Sequence, residues 1–107
     1  MSVCTGSALL ARAGLLDGLR ATSNKQVFGL ARVQSDSVDW VESARWVDSG
    51  KMVTSSGVSA GTDMGLVVIA RLFDEDTALR VADATEYTRH RDADVDLFAD
   101  QLNSQSL

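Results

Sequence analysis

The residues of this chain best suited to chemistry stand at its start, in Val3-Cys4-Thr5-Gly6-Ser7. Cys4 is the single cysteine, and the helix-forming run Ser7-Ala8-Leu9-Leu10-Ala11-Arg12-Ala13 follows it closely. A thiol at the opening of a helix meets unpaired backbone N–H groups and the positive end of the helix dipole, surroundings that favour the nucleophilic thiolate. The small neighbours suit a nucleophile elbow, a sharp strand-to-helix turn that exposes its nucleophile, with the amide of Thr5 placed to stabilise an oxyanion. A lone cysteine equally suits burial as a small hydrophobe, and the spacing alone leaves both readings open.

Other candidates are fewer. His90, the single histidine, lies in Thr88-Arg89-His90-Arg91-Asp92, a charged run that suits a solvated surface histidine and leaves it a candidate by elimination only. Gly57-Val58-Ser59-Ala60-Gly61 lacks the Lys-Ser/Thr ending of a P-loop and the spacing of a dinucleotide fingerprint, so it reads as a small-residue loop used for close backbone contact. One cysteine and one distant histidine give neither an internal disulfide nor a zinc pattern, and no metal or other cofactor is expected.

The elements that must position Cys4 alternate between strand and helix signals. After the first helix, Gly14 reads as a stop, and Arg20-Ala21-Thr22-Ser23 as a short strand. Asn24-Lys25 then caps a helix with apolar positions Val27, Phe28, Leu30, Ala31 and Val33. Val38-Asp39-Trp40-Val41, Ala44-Arg45-Trp46-Val47 and Lys51-Met52-Val53-Thr54-Ser55 carry β signals, with turn chemistry in Asp48-Ser49-Gly50 and both tryptophans read as core or interface residues. Residues 64–73 read as a buried, central apolar helix. Asp74, Glu75 and Asp76 open an amphipathic helix to about Ala84, with Leu79, Val81 and Ala82 inward. Residues 88–107 are polar enough to read as a solvated tail. Alternating strands and helices with glycine-bearing turns predict a layered α/β fold.

Composition bounds the function. With 107 residues, 45% hydrophobic and 23% charged, the chain makes at most one globular domain with a modest core. A net charge of −5 and scattered basic residues argue against a nucleic-acid partner. The longest apolar stretch, residues 66–70, is too short to cross a bilayer, and no basic-then-apolar leader precedes Cys4. A cytoplasmic location without a membrane partner is therefore expected. The chain has no proline, where average usage predicts about five.

Taken in order, Val3-Cys4-Thr5-Gly6-Ser7, Ala13-Gly14-Leu15-Leu16-Asp17-Gly18, Ala21-Thr22-Ser23-Asn24-Lys25, Ala44-Arg45-Trp46-Val47 and residues 54–63 resemble the ThiJ/PfpI family, and Glu86-Tyr87 with His90-Arg91-Asp92 continues the match. The resemblance implies a flavodoxin-like three-layer α/β sandwich related to class I glutamine amidotransferases, often a homodimer. It implies Cys4 as nucleophile toward a small electrophilic carbonyl or isonitrile-type substrate, the Thr5 amide holding developing charge, and Asn24 orienting substrate or water. A histidine often stands where this chain has Asn24, which cannot act as a general base. Ser23-Asn24-Lys25 therefore suggests a subgroup.

Family domains are also about twice as long, with first strands and a carboxylate preceding the elbow. The resemblance thus reads residues 1–100 as a partial, C-terminal portion of the domain and 101–107 as a polar tail. Such a portion is expected to be poorly stable and inactive alone, because the missing strands would be central in a parallel sheet. The alternative is a non-enzymatic redox-sensing or interaction protein in which Cys4 is oxidised reversibly.

Overall fold

A computed structural model describes residues 1–105. The first helix, α1 (Gly6–Arg12), ends on Gly14 at φ +80°. Leu15 N donates to Leu10 O and Gly14 N to Ala11 O, so the orphan carbonyls of the last turn are satisfied in a Schellman arrangement that glycine alone enters without strain. Leu16 follows, fully buried with Ala11, Ala21 and Val38 in one apolar cluster.

Strand β1 (Arg20–Ala21) pairs in parallel with β2 (Asp39–Trp40), and the helix between them, α2 (Phe28–Arg32), buries Phe28 and Ala31. Phe28 meets Trp40 edge-to-face with ring centroids 6.0 Å apart. Full burial of a side chain of this kind contributes about 1.5–3 kcal/mol. Val33, expected on the inner face, is exposed because the helix stops at Arg32.

The β signals on either side of Asp48-Ser49-Gly50 form a hairpin: β3 (Trp46–Asp48) pairs antiparallel with β4 (Val53–Ser55). Its turn is closed by Gly50 N donating to the Asp48 carboxylate, with Gly50 at φ +86°. Ser2 bridges Thr54 in parallel, which sets the chain leading to Cys4 against β4. Trp46, Val53 and Met64 form a second buried cluster.

Helix α3 runs Val58–Leu72, so the stretch 57–61 is not the expected loop but a helix opening. The small residues serve close packing instead. A Cβ on Gly61 would lie 2.6 Å from Val3 Cγ1. The C-terminal part of α3 is less enclosed than its apolar sequence predicts, with Leu72 and Phe73 exposed.

Asp74 caps α4 (Glu75–Ala84) by accepting from Thr77 N, as its acidic opening predicts. Ala82 points inward as expected, but its buried companion is Ala78, while Leu79 and Val81 are 40% and 37% exposed. Alanines let α4 approach α3 closely, and the larger side chains are displaced to the flanks.

From residue 88 onward most side chains are exposed, as expected, but Asp96 is buried and the backbone is tied to the rest of the chain. Arg45 N and Trp46 N both donate to Ala93 O, Asn103 N donates to Lys25 O, and Gln105 N to Gln26 O. Backbone hydrogen bonding and one buried charge hold this segment where apolar composition could not. The last two residues of the expected 101–107 tail, Ser106 and Leu107, lie outside the described residues.

Candidate active site around Cys4

Parallel pairing of Ser2 delivers the chain to Cys4, which sits at φ +59°. A side chain in this left-handed region costs about 1–2 kcal/mol, and the surroundings must over-determine it. Cys4 N donates to Ser56 O at 2.7 Å, and Cys4 O accepts from Ser23 Oγ at 3.0 Å. The turn is thus clamped from β4's end on one side and β1's end on the other. Cys4 remains partly accessible.

Asn24 faces the thiol. Its Oδ1 accepts from Gln26 N at 2.9 Å and Val27 N at 3.3 Å, which orients Nδ2 to donate to Cys4 Sγ at 3.2 Å. Asn24 does not cap α2 as expected, since Val27 is the residue at its N-terminus and has no side-chain cap; it fixes the turn before the helix and also holds the sulfur. Thr5 is the residue before α1, and its backbone N–H has no acceptor among the described residues. The structure brings Cys4, Thr5 and Asn24 together.

A cleft of about 200 Å³ adjoins this group through Asn24 and Ser56, both hydrogen bonded to Cys4, while Cys4 and Thr5 are not themselves among its lining residues. Gln26, Gly57 at the start of α3, and Asp96 and Phe98 from the C-terminal segment also line it. At its base lies Lys25, with a side chain only 2% exposed. Lys25 Nζ donates to Thr22 Oγ1 and Ala44 O, each at 2.7 Å, and approaches Asp96 Oδ2 at 3.5 Å. Burial lowers the Lys25 pKa from its ordinary 10.5, outweighing the opposing pull of the Asp96 carboxylate.

Beside the cleft, Arg45 Nε and Nη2 both reach Asp63 Oδ2, at 3.0 and 2.8 Å, in a second buried pair. Asp63 Oδ1 accepts from His90 N. His90 therefore contributes its backbone, while its side chain is exposed beside Arg91 and Asp92 in a different pocket. The structure does not bring the imidazole to Cys4. Lys25, Arg45 and Asp63 lie within the sequence motifs with no local sign of their pairings, and Asp96 lies in a stretch whose composition predicts a solvated tail. The signal for Asp96 was its setting among Val95, Leu97 and Phe98, apolar residues in a polar stretch. Among the described residues no three His, Cys, Asp or Glu side chains group as a metal site would require.

A profile of the DJ-1/PfpI family matches residues 1–71. The chain belongs to the DJ-1/PfpI family. Isonitrile hydratase of Pseudomonas putida is 37% identical over 86 residues, which are 80% of this chain and 36% of that protein. The crystal structure of a ThiJ/PfpI family protein from Pseudomonas syringae matches with a TM-score of 0.66 at 35% identity, over 84% of this chain and 36% of that one. A DJ-1 superfamily protein from Salmonella typhimurium shares the fold, with a TM-score of 0.65 at 22% identity over 81% of this chain and 45% of its own.

The chain spans less than half the length of each of these relatives. The expected α/β class holds, and the short paired strands are an incomplete version of the DJ-1/PfpI sandwich. No helix among the described residues is long and apolar enough to cross a membrane.

Proposed function

We propose that this DJ-1/PfpI chain carries the thiol side of an active site for small electrophiles of the isonitrile or carbonyl type, with Cys4 as nucleophile. The observation that carries the reading is the Asn24 Nδ2 to Cys4 Sγ contact of 3.2 Å, made to a cysteine held at φ +59° beside an open cleft. Backbone strain concentrates where function requires a side chain to be presented. Identity of 37% to an isonitrile hydratase supports the substrate class.

With an isonitrile, sulfur bonds to the terminal carbon and the thiol proton passes to that carbon, leaving a thioformimidate on Cys4. Water adds to the same carbon while nitrogen takes a proton. The C–S bond then breaks, returning the thiol and releasing an N-substituted formamide. With a carbonyl substrate, the oxyanion lies on the Thr5 N–H. Asn24 holds sulfur and substrate in register but moves no proton, so the water step depends on a base other than Asn24. For that reason the chain alone forms the adduct and turns over poorly.

A reducing, cytoplasmic setting that keeps Cys4 as a thiol belongs to the same proposal. So does a homodimer, supported by the exposed apolar side chains Val58, Leu72 and Phe73 on and beside α3.

The test is mass spectrometry of the chain exposed to cyclohexyl isocyanide and to methylglyoxal, with formamide assayed in parallel and Cys4→Ala as control. A Cys4-dependent adduct supports the reading. Asn24→Asp retains the acceptor for Gln26 and Val27 but cannot donate to sulfur, and slows adduct formation about tenfold or more. Absence of any adduct, with rapid reversible oxidation of Cys4 by peroxide, replaces the catalytic reading with a redox-sensing one.

A further inference from the structure

The cleft beside Cys4 is polar or small-sided except at one point. Gly57 and Ala60 add almost no side chain, and Asn24, Gln26 and Ser56 present hydrogen-bonding groups. Phe98 alone among the lining residues contributes a large apolar surface, and it is 50% exposed.

Its position is built from both sides. Phe98 N donates to Asp96 Oδ1 at 3.0 Å, and Asp96 is anchored by its charge contact with buried Lys25 and by donating its own N–H to Ser43 O. Beyond Phe98, a 3-10 helix (Ala99–Gln101) leads to Asn103, whose N–H donates to Lys25 O and whose Oδ1 accepts from Gly29 N. A segment tied down at 93, 96 and 103 leaves one aromatic ring half in solvent, lining the same cleft as Asn24, the residue that donates to Cys4 Sγ.

We infer that Phe98 is the specificity-determining wall of the cleft, against which the organic substituent of the electrophile packs while its reactive carbon lies on Cys4. The ligand class that follows is a neutral electrophile bearing one compact apolar group, cyclic or aromatic. A cavity of about 150 Å³ holds benzene, so a cleft of about 200 Å³ has room for a ring-sized substituent. The inference rests on the proposed role of Cys4 and adds to it what the substrate carries.

The experiment compares alkylation of Cys4 by N-methylmaleimide and N-cyclohexylmaleimide, in which sulfur adds to the C=C bond and a proton goes to the neighbouring carbon. In the native chain the cyclohexyl reagent reacts with a saturable dependence on concentration and is preferred. Phe98→Ala lowers the cyclohexyl-to-methyl rate ratio about tenfold, the loss expected from the apolar contact of one ring face. The change falls in the half-saturating concentration rather than the limiting rate.

Phe98→Trp keeps the preference, and Leu97→Ala, the adjacent exposed side chain in a different pocket, leaves it unchanged. Phe98→Leu gives an intermediate ratio and serves if the alanine variant fails to fold. Reaction with both reagents at a ratio unaltered by Phe98→Ala or Phe98→Leu overturns the inference while leaving Cys4 as nucleophile. Failure of Cys4 to react with either reagent overturns both.

Discussion

The Asp96 carboxylate stands 3.5 Å from the Lys25 ammonium, and the two side chains are 1% and 2% exposed. Among the described residues Asp96 Oδ2 has no hydrogen-bond partner of good geometry, so the contact with Lys25 is chiefly one of charge, at a place where desolvation is expensive. It joins the C-terminal segment to the turn that carries Asn24. The stability of the segment and the geometry at sulfur are therefore coupled.

Asp96→Asn leaves a buried ammonium without its countercharge and is expected to lower unfolding free energy by about 3–5 kcal/mol in urea titration. Lys25→Met combined with Asp96→Leu costs less than the sum of the two single changes. Additive costs would show that the residues do not act as a pair.

The pH dependence follows from the depressed Lys25 pKa. Because the folded chain releases this proton more readily than the unfolded one, the unfolded state holds more protons between the lowered folded value and 10.5. The stability contribution from Lys25 therefore rises with pH across that window. Tyr87, whose pKa burial and then Asp63 push above its ordinary 10.0, acts in the opposite direction at higher pH. The difference in stability between native chain and Lys25→Met isolates the Lys25 effect and should widen toward pH 10.5. A flat difference contradicts it.

Cys4 at φ +59° predicts a trade between stability and function. Cys4→Gly relieves the left-handed strain and is expected to stabilise the chain by about 1 kcal/mol, while Cys4→Val, with a branched Cβ, destabilises it. Thermal midpoints decide. A glycine variant clearly less stable than the native chain means the turn is not strained.

Gly61→Ala drives a methyl to 2.6 Å from Val3 Cγ1, beside the nucleophile. The expected cost is about 1–3 kcal/mol, with slower alkylation of Cys4 as Val3 is pushed aside. Adding Val3→Ala should restore both. Restored stability without restored reactivity separates the fold from the placement of the thiol.

Much of the local structure was legible. The run of small residues after Cys4, the Gly14 stop, the Asp48-Ser49-Gly50 turn and the Asp74 cap each follow from chemistry within a few residues, and each forms. Residues 57–61 misled because small residues mark a loop and a close helix contact alike. On α4 Ala82 lies inward as its pattern predicts, but closeness to α3 favours Ala78 beside it over the larger Leu79 and Val81. His90 drew notice by its type, yet only its backbone takes part, on Asp63.

The sequence by itself determined where a nucleophile stands and which family the chain resembles, because an elbow and ordered motifs are local patterns. Only the tertiary structure decided that Asn24 meets sulfur, that Lys25 pairs with Asp96 and Arg45 with Asp63, and that Phe98 walls the cleft. The physical reason is that desolvation, charge pairing and hydrogen bonding depend on distances across the chain. A polar residue carries the same letter whether it ends in water or in the interior.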